Sequence, residues 1–186
     1  MINKDILNAI EYAKEKHKGQ YRKGPKATPY ILHPLNVSEI LKSVNQKDEV
    51  VIAGILHDVV EDTPTKIEEI KAIFGKKVSD LVASVTEKGE GITWDQRLKK
   101  YLEKIDHSTP ETKMICAADK IDNMRSMVEC IDSGFNIFKH MHAGKEKQIN
   151  KFKLILSQIG NDLPEQMKTM YEQALQSLIQ ATKNIR

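Results

Sequence analysis

VVIAGILHDVV, residues 50–60, is the stretch from which the fold class of this chain can be inferred. Its residues are apolar on nearly every side of a helix, which is typical of a helix buried in a protein core. The run is too long for an ordinary strand and no turn signal interrupts it, so it predicts a helix despite its β-branched residues. We expect Asp48 to cap this helix and Thr63-Pro64 to end it.

Helical patterns also fill the sequence on both sides of this stretch. We find no hairpin signal, internal repeat or interdomain linker, so we expect an all-α fold with a single domain over 1–186. The helices over 145–184 are expected to pack as a C-terminal group. The other predicted helices cover 4–16, 34–43, 77–86, 93–105, 110–130, 135–142, 145–159 and 164–184.

Local signals mark the connections between these helices. A basic, glycine-containing loop covers 19–28, and a short glycine-rich connection lies at 89–91. Thr65 and Glu68 have the spacing of a capping box, so they predict a helix start. Gly75 is expected to stop the helix that this box begins.

Composition narrows the function classes. The 186 residues carry a formal charge of +3, with 40% hydrophobic and only 5% aromatic residues. No apolar run approaches the roughly 20 residues needed to cross a bilayer, and the N-terminus has charges within its apolar pattern, so we expect neither a membrane span nor a secretory signal. The mild positive charge suits a small anionic substrate, and the few aromatic side chains argue against nucleic-acid binding. Cys116 and Cys130 fit a reduced, cytoplasmic protein.

Four polar residues in or after the apolar run point to chemistry. His57 and Asp58 lie within the run, where polar groups are costly unless something satisfies them. Glu61 follows His57 by four residues and Asp62 follows Asp58 by four, so a helix would stack each pair on one of two neighbouring faces. Three carboxylates so close would repel one another, and their pKa values would rise unless a cation binds between them. The alternative is a satisfied core histidine beside solvated acids at a helix end.

His33 and Asp119 are the other candidate ligands for such a cation. His33 lies directly before Pro34 at a junction between a loop and a helix, and Asp119 follows an apolar helical run. With His57 and Asp58 they form a set of two imidazoles and two carboxylates, which suits Mn²⁺, Fe²⁺ or Zn²⁺ and favours Mn²⁺. A divalent metal with open positions lowers the pKa of a bound water and polarises a phosphorus–oxygen bond.

The order His33, His57-Asp58, Asp119 resembles the signature of HD-domain metal-dependent phosphohydrolases. Longer blocks are similar to the hydrolase domain of RelA/SpoT proteins and their small stand-alone relatives, over residues 9–151. Two letters alone are a weak signal, whereas four blocks in this order are specific. These blocks are His17-Lys18-Gly19-Gln20-Tyr21-Arg22-Lys23, Thr28-Pro29-Tyr30-Ile31-Leu32-His33-Pro34, His57-Asp58-Val59-Val60-Glu61-Asp62-Thr63 and Ala118-Asp119-Lys120-Ile121-Asp122-Asn123-Met124-Arg125.

The resemblance implies an all-α HD fold and an enzyme that uses Mn²⁺ to remove the 3′-pyrophosphate of guanosine 3′,5′-bis(diphosphate), (p)ppGpp. It also implies that Glu61 and Asp62 handle the attacking water and its proton, which agrees with their position one helical turn from candidate metal ligands. The remaining implied roles are metal binding by His33, His57, Asp58 and Asp119, and substrate binding by Arg22, Lys23, Asn123 and Lys145.

Several alternatives stay open at this point. Arg22 and Lys23 also fit a solvated basic loop, Asn123 a structural amide, and Lys145 a solvated helix face. Asp122 departs from the family pattern, and an extra acid near the pocket would not help a polyanionic substrate. The same chemistry could act on another nucleotide or phosphate ester, or the pocket could be a nucleotide sensor without turnover. The last helix could pack on the body of the chain or on a second chain in a homo-oligomer.

Overall fold

A computed structural model describes residues 3–87, 91–183 and 185 of the chain. Within these residues the fold is all-α, as predicted, and the only pairing of extended backbone is an isolated bridge between Tyr21 and Pro29. The predicted connection at 89–90 and the predicted helix end at Asn184 lie outside the described residues. The helices are α1 (Lys4–Lys16), α2 (Leu32–Ser43), α3 (Asp48–Leu56), α4 (Val59–Asp62), α5 (Ile67–Val85), α6 (Trp94–Asp106), α7 (Pro110–Asp132), α8 (Lys145–Ile159) and α9 (Glu165–Thr182).

Side-chain caps explain where α6 and α7 begin. The Thr93 hydroxyl accepts a hydrogen bond from the backbone N–H of Gln96 at 3.2 Å, and the Gln96 side chain accepts from the backbone N–H of Thr93 at 2.9 Å. Thr109 accepts from the backbone N–H of Thr112 at 3.3 Å, with Pro110 at the first helical position. These bonds satisfy backbone donors that a helix start leaves unpaired, and the two predicted starts are confirmed.

The continuous helix predicted over 50–60 is wrong, because the chain breaks at its two polar residues. A turn carries His57 and Asp58 between α3 and α4. Nδ1 of His57 donates a hydrogen bond to the carbonyl oxygen of Gly54 at 2.8 Å, so the imidazole competes with the backbone for that acceptor. The polar pair therefore lies at a helix junction and not in the middle of one helix.

The start of α5 differs from the prediction by one residue. The Glu69 carboxylate accepts from the backbone N–H of Lys66 at 3.0 Å, so this half of the predicted capping box lies one residue after the predicted pair of Thr65 and Glu68. The predicted interruption at Gly75 is present inside α5. Gly75 has a φ of 84°, in the left-handed region where only glycine lacks a steric penalty.

The segment over 135–142 forms a single 3-10 turn, Ile137–His140, and not the predicted longer helix. The ring of Phe135 stacks on that of His140, with centroids 4.7 Å apart. Ile137 is 2% exposed, so the turn is anchored in the core and directs its flanks over the end of α7.

Helix α7 is the centre of the molecule. Its residues are buried over most of its length, and α2, α3, α5, α8 and α9 all pack against it. The close approach of α2 and α3 depends on Gly54, because a Cβ there would overlap with Cδ1 of Leu41 and lie 3.4 Å from Cγ1 of Val37. This packing brings the start of α2 and the end of α3 to the same side of α7.

The last helix, α9, packs on α7 of its own chain. Tyr171 of α9 is fully buried and donates a hydrogen bond from its hydroxyl to the carbonyl oxygen of Phe152 in α8, at 3.0 Å. The described part of α9 therefore belongs to the core of the chain. None of the described helices combines the length and the apolar character that crossing a bilayer requires.

Candidate metal centre

Two histidines and an aspartate converge beside α7. His33 comes from the first turn of α2, and His57 and Asp58 come from the turn between α3 and α4. One ligand atom from each of the three lies within 4.8 Å of the other two. The Asp58 carboxylate is 3.5 Å from Nε2 of His33 and 3.1 Å from Nε2 of His57. Three candidate ligands from two separate elements are thus brought together.

Asp119 joins this group from α7. Its Oδ1 lies 3.3 Å from Nε2 of His33, and the same oxygen accepts a hydrogen bond from the side-chain amide of Asn123. Its Oδ2 accepts from the ammonium of Lys120 at 2.6 Å. The fourth predicted ligand therefore lies beside the other three and contacts them through His33.

One buried atom tests whether these residues fit a metal. Nδ1 of His57 carries a proton, because it donates to the carbonyl of Gly54. In the neutral ring Nε2 is then an acceptor, as a metal ligand must be, and it finds no hydrogen-bond partner among the described residues although His57 is only 5% exposed. A buried polar atom without a partner is costly, and a cation held with Asp58 would satisfy it. The donor set fits a divalent metal.

Electrostatics at the centre also favour a cation. Burial alone would lower the pKa of His33, but hydrogen bonds with Asp119, Asp122 and Asp58 outweigh burial and raise its pKa to about 10. Burial alone would likewise raise the pKa of Asp58, but His57 and His33 hold that pKa well below its usual range. Without a metal, the carboxylates therefore keep a proton on the imidazole, and metal binding releases that proton.

Two residues that support the centre, Tyr30 and Lys120, were not predicted from the sequence to do so. The Tyr30 hydroxyl donates to Oδ2 of Asp58 at 2.6 Å, and burial together with Asp58 raises the pKa of Tyr30, so it stays a donor. Lys120 is 11% exposed at its side chain and lies 5.2 Å from the centre of the Tyr101 ring. Both residues lie inside the sequence blocks named above, which is the signal that could have found them, but Tyr30 is 28 positions away from its partner Asp58.

Glu61 borders a small inner chamber of about 60 Å³ that His57, Asp58 and Asp119 also line. The Glu61 carboxylate accepts a hydrogen bond from the backbone N–H of Glu87 at 2.8 Å. Burial of this carboxylate raises the pKa of Glu61 to about 7. A carboxylate with this pKa, beside the candidate ligands, is suited to accept a proton near neutral pH.

Asp62 faces a different space from Glu61. It lines the outer cavity, which has a volume of about 420 Å³ and shares Lys120 with the inner chamber. Burial raises the pKa of Asp62. The predicted acidic pair is thus divided between the two spaces, one carboxylate on each.

The outer cavity has a cationic wall and an apolar wall. Arg22, Lys23 and Asn123, all predicted to bind substrate, line the first wall together with Lys151 of α8. Lys145 is not among the described residues that line it, and its ammonium is 3.8 Å from Glu146. The apolar wall consists of Met127, Ile137, Met141 and Phe152. A ligand with anionic groups and one flat apolar group matches this division.

Two lysines of the cationic wall lose their positive charge at different pH values. Burial alone would lower the pKa of Lys120, but Asp119 raises it well above its usual range. Burial and the nearby Lys120 lower the pKa of Lys151 to about 8. Both ammonium groups are therefore charged at neutral pH, and Lys151 loses its charge first as the pH rises.

The loop that carries Arg22 and Lys23 is fixed at its base. The backbone N–H of Arg22 donates to the carbonyl of Thr28 at 2.8 Å, and the N–H of Tyr30 donates to the carbonyl of Gln20 at 3.0 Å. The Arg22 guanidinium donates to Oδ1 of Asn123 at 3.1 Å. The predicted basic loop is thus anchored to α7 at the edge of the outer cavity.

Asp122 does not face the outer cavity, contrary to the expectation that it would place an extra acid near the pocket. It is 6% exposed, and its carboxylate lies 2.6 Å from Nδ1 of His33. The residues i+3 and i+4 after Asp119 lie on the same face of α7, which explains why Asp122 and Asn123 reach the centre. The spacing in the sequence predicts that Asp122 and Asn123 share a helix face with Asp119. It does not indicate that His33 of α2 is the partner of Asp122.

Comparison with known proteins agrees with this geometry. The HD domain family model matches residues 9–149. Human MESH1, named guanosine-3′,5′-bis(diphosphate) 3′-pyrophosphohydrolase, is 37% identical over 133 residues, which are 70% of this chain and 74% of that protein. A protein with the same enzyme name from Aquifex aeolicus is 38% identical over 125 residues, which are 66% of this chain and 18% of that protein.

Solved structures give the same result. The structure of a metazoan ortholog of SpoT that hydrolyzes ppGpp superposes with a TM-score of 0.76 at 27% sequence identity, covering 100% of this chain and 99% of that one. A crystal structure of a protein from Listeria monocytogenes EGD-e has a TM-score of 0.70 at 30% identity and covers 82% of this chain and 96% of that one. From its site, its sequence and its fold, this chain belongs to the HD domain family.

Proposed function

We propose that this chain is a metal-dependent phosphohydrolase that removes the 3′-pyrophosphate of (p)ppGpp. The observation that carries the proposal is the buried Nε2 of His57, which lacks a partner among the described residues and faces the Asp58 carboxylate. It lies in a chamber that shares Lys120 with a cavity lined by cations and apolar side chains. The relatives named as ppGpp 3′-pyrophosphohydrolases support the choice of substrate.

In this proposal His33, His57, Asp58 and Asp119 hold the metal, and Mn²⁺ is the ion that best suits two imidazoles with two carboxylates. When bound, the metal lowers the pKa of a water and withdraws charge from the phosphoryl oxygens. Tyr30 supports this arrangement, since its hydroxyl holds one Asp58 oxygen at 2.6 Å and so fixes the orientation of that carboxylate.

The substrate is bound by the two walls of the outer cavity. Arg22 and Lys23 contact phosphate oxygens from the loop, and Lys151 contacts them from α8, because each supplies N–H donors and positive charge. The apolar wall takes the guanine base. Asn123 keeps Arg22 in place through the 3.1 Å hydrogen bond described above.

Hydrolysis requires one new bond, one broken bond and two proton positions. The oxygen of water bonds to the phosphorus next to the ribose, the bond from that phosphorus to the 3′ oxygen breaks, and pyrophosphate leaves. Glu61 accepts the proton of the attacking water, since its pKa is about 7 and it borders the inner chamber. Asp62, with its raised pKa, supplies a proton to the 3′ oxygen from the outer side.

We further propose that the enzyme works in the cytoplasm on a small nucleotide, without nucleic acid and without a membrane partner. The cysteines Cys116 and Cys130 are free, and the low aromatic content offers few stacking platforms for bases. A homo-oligomer is also part of this proposal. Size-exclusion chromatography with light scattering decides this last point.

A product assay tests the proposed function. Purified protein is incubated with (p)ppGpp and with a panel of other nucleotides and phosphate esters, with Mn²⁺ added or with all metal removed by a chelator. We expect pyrophosphate and the 3′-hydroxyl nucleotide from (p)ppGpp only when Mn²⁺ is present. Release of phosphate from other esters in preference would replace the substrate, and tight nucleotide binding without product would identify a sensor.

A further inference from the structure

Asp122 occupies a position on α7 that connects the metal centre with the loop of the outer cavity. Its side chain is 8% exposed, so its carboxylate has almost no access to water. Its Oδ2 is 2.6 Å from Nδ1 of His33, and its Oδ1 accepts a hydrogen bond from the side-chain amide of Asn36 at 2.8 Å. A buried carboxylate with such partners has a fixed orientation.

Arg22 adds a cation to the same carboxylate. Its guanidinium nitrogen is 3.6 Å from Oδ2 of Asp122, and the Arg22 side chain is only 14% exposed. The charge of Asp122 is therefore balanced on one side by Arg22 and faces His33 on the other. Because the carboxylate is directed inward, its negative charge is kept away from the ligand space of the outer cavity.

The contact with His33 decides which ring nitrogen can bind a metal. A carboxylate only accepts hydrogen bonds, so the proton of neutral His33 must be on Nδ1. Nε2 is then free of its proton, and it is the nitrogen that lies 3.3–3.5 Å from Asp119 and Asp58. Carboxylates that orient a ligating histidine in this way raise its basicity and its affinity for the metal.

We propose that Asp122 is a positioning residue that fixes the tautomer and orientation of His33 for metal binding, with Arg22 as the cation that pairs with this carboxylate. The inference rests on the proposed function only in assigning His33 as a metal ligand. It explains why an acid is tolerated beside a site for a polyanion, since Asp122 contributes to the metal and not to the substrate.

Metal titration tests this role directly. Mn²⁺ affinity is measured by calorimetry on the metal-free wild type, on Asp122→Asn and on Asp122→Ala. We expect the dissociation constant for Mn²⁺ to rise about 10- to 100-fold in both variants. Asp132→Asn is the matched control, because it makes the same charge change on the same helix at an exposed residue, and it should keep the wild-type constant.

Three further measurements separate positioning from a merely structural role. Thermal melting of the metal-free Asp122→Asn protein should stay close to the wild type, because asparagine keeps the shape of the side chain. Its kcat should return to within about threefold of the wild type at about 100 times the usual Mn²⁺ concentration, since only metal affinity is lost. In Zn²⁺-loaded wild type, nuclear magnetic resonance should show a hydrogen-bonded Nδ1 proton for His33 that Asp122→Ala lacks.

The outcomes distinguish this inference from the proposed function. Unchanged Mn²⁺ affinity in Asp122→Ala overturns the positioning role even if the wild type hydrolyses (p)ppGpp. A fall in affinity together with no product from any phosphate ester supports the role of Asp122 and rejects the proposed activity. A wild type that binds no divalent metal overturns both, and a kcat that excess Mn²⁺ does not restore overturns the positioning role alone.

Discussion

Replacing Gly54 with alanine tests whether the spacing of α2 and α3 sets the geometry of the metal centre. His33 lies at the start of α2, and His57 follows Gly54 by three residues and donates to its carbonyl oxygen. An added Cβ would overlap with Cδ1 of Leu41 and lie 3.4 Å from Cγ1 of Val37, and both of these α2 residues are fully buried. We expect α3 to move away from α2 and to carry His57 away from His33.

The size of the effect follows from two opposing contributions. Adding a methyl group to a well-packed core costs about 1–3 kcal/mol, and replacing glycine with alanine inside a helix returns about 1 kcal/mol. The free energy of unfolding should therefore fall by about 0–2 kcal/mol, with a loss of up to about 8 °C in Tm for a chain of this size. Leu41→Val removes the obstructing methyl, so the double variant with Gly54→Ala should lose less than the two single losses added together.

The assays are thermal melting of the metal-free protein and calorimetric titration with Mn²⁺. We expect Gly54→Ala to weaken Mn²⁺ binding by at least about tenfold, as for other losses of ligand orientation. Gly144→Ala is the control, because an added Cβ there meets nothing within 4 Å, and its stability should stay within about 0.5 kcal/mol. A Gly54→Ala protein with wild-type Tm and wild-type metal affinity would refute the link between helix spacing and the metal centre.

Three more predictions concern the site itself. In Asp58→Ala, calorimetry should detect no Mn²⁺ binding at concentrations that saturate the wild type, and retained stoichiometric metal would contradict its role as a ligand. Glu61→Gln should keep the metal but lower kcat by about 10²–10⁴-fold in the pyrophosphate assay. Because protonated Glu61 cannot accept a proton and its pKa is about 7, kcat/KM of the wild type should fall as the pH drops below about 7, a limb that Glu61→Gln should lack. Lys151 has a pKa of about 8, so KM for (p)ppGpp should rise as the pH increases through 8 and the ammonium loses its charge. Lys151→Met should have a raised KM that does not change over this pH range.

The sequence predicted the helices well where their ends carry local signals. Thr93 and Thr109 cap the predicted helices with their own side chains, and Gly75 interrupts α5 where its freedom at positive φ is needed. The break at His57 was not predictable in the same way. The residues of VVIAGILHDVV are apolar in every helical phase, so their pattern contains no information about a bond from an imidazole to the Gly54 carbonyl.

The site was predicted as a set of residue types but not as a set of partners. The order of His33, His57 and Asp119 indicated which side chains converge, and the structure brings them together. Asp122 was misinterpreted because its partner His33 is 89 positions away in the chain. Lys151 was overlooked because sequence shows a basic helix face, while only packing selects the lysine that lines the cavity.

The hydrogen-bonded base of the loop over 20–30 has a thermodynamic consequence for ligand binding. Two backbone bonds, which together form the bridge between Tyr21 and Pro29, hold the base of the loop in one conformation before any ligand arrives. The backbone conformational entropy of ordering this loop is therefore lost when the protein folds and not when it binds. Affinity at this cavity should depend weakly on loop flexibility, and cutting the loop between Lys23 and Lys26 would transfer that entropy loss to the binding step.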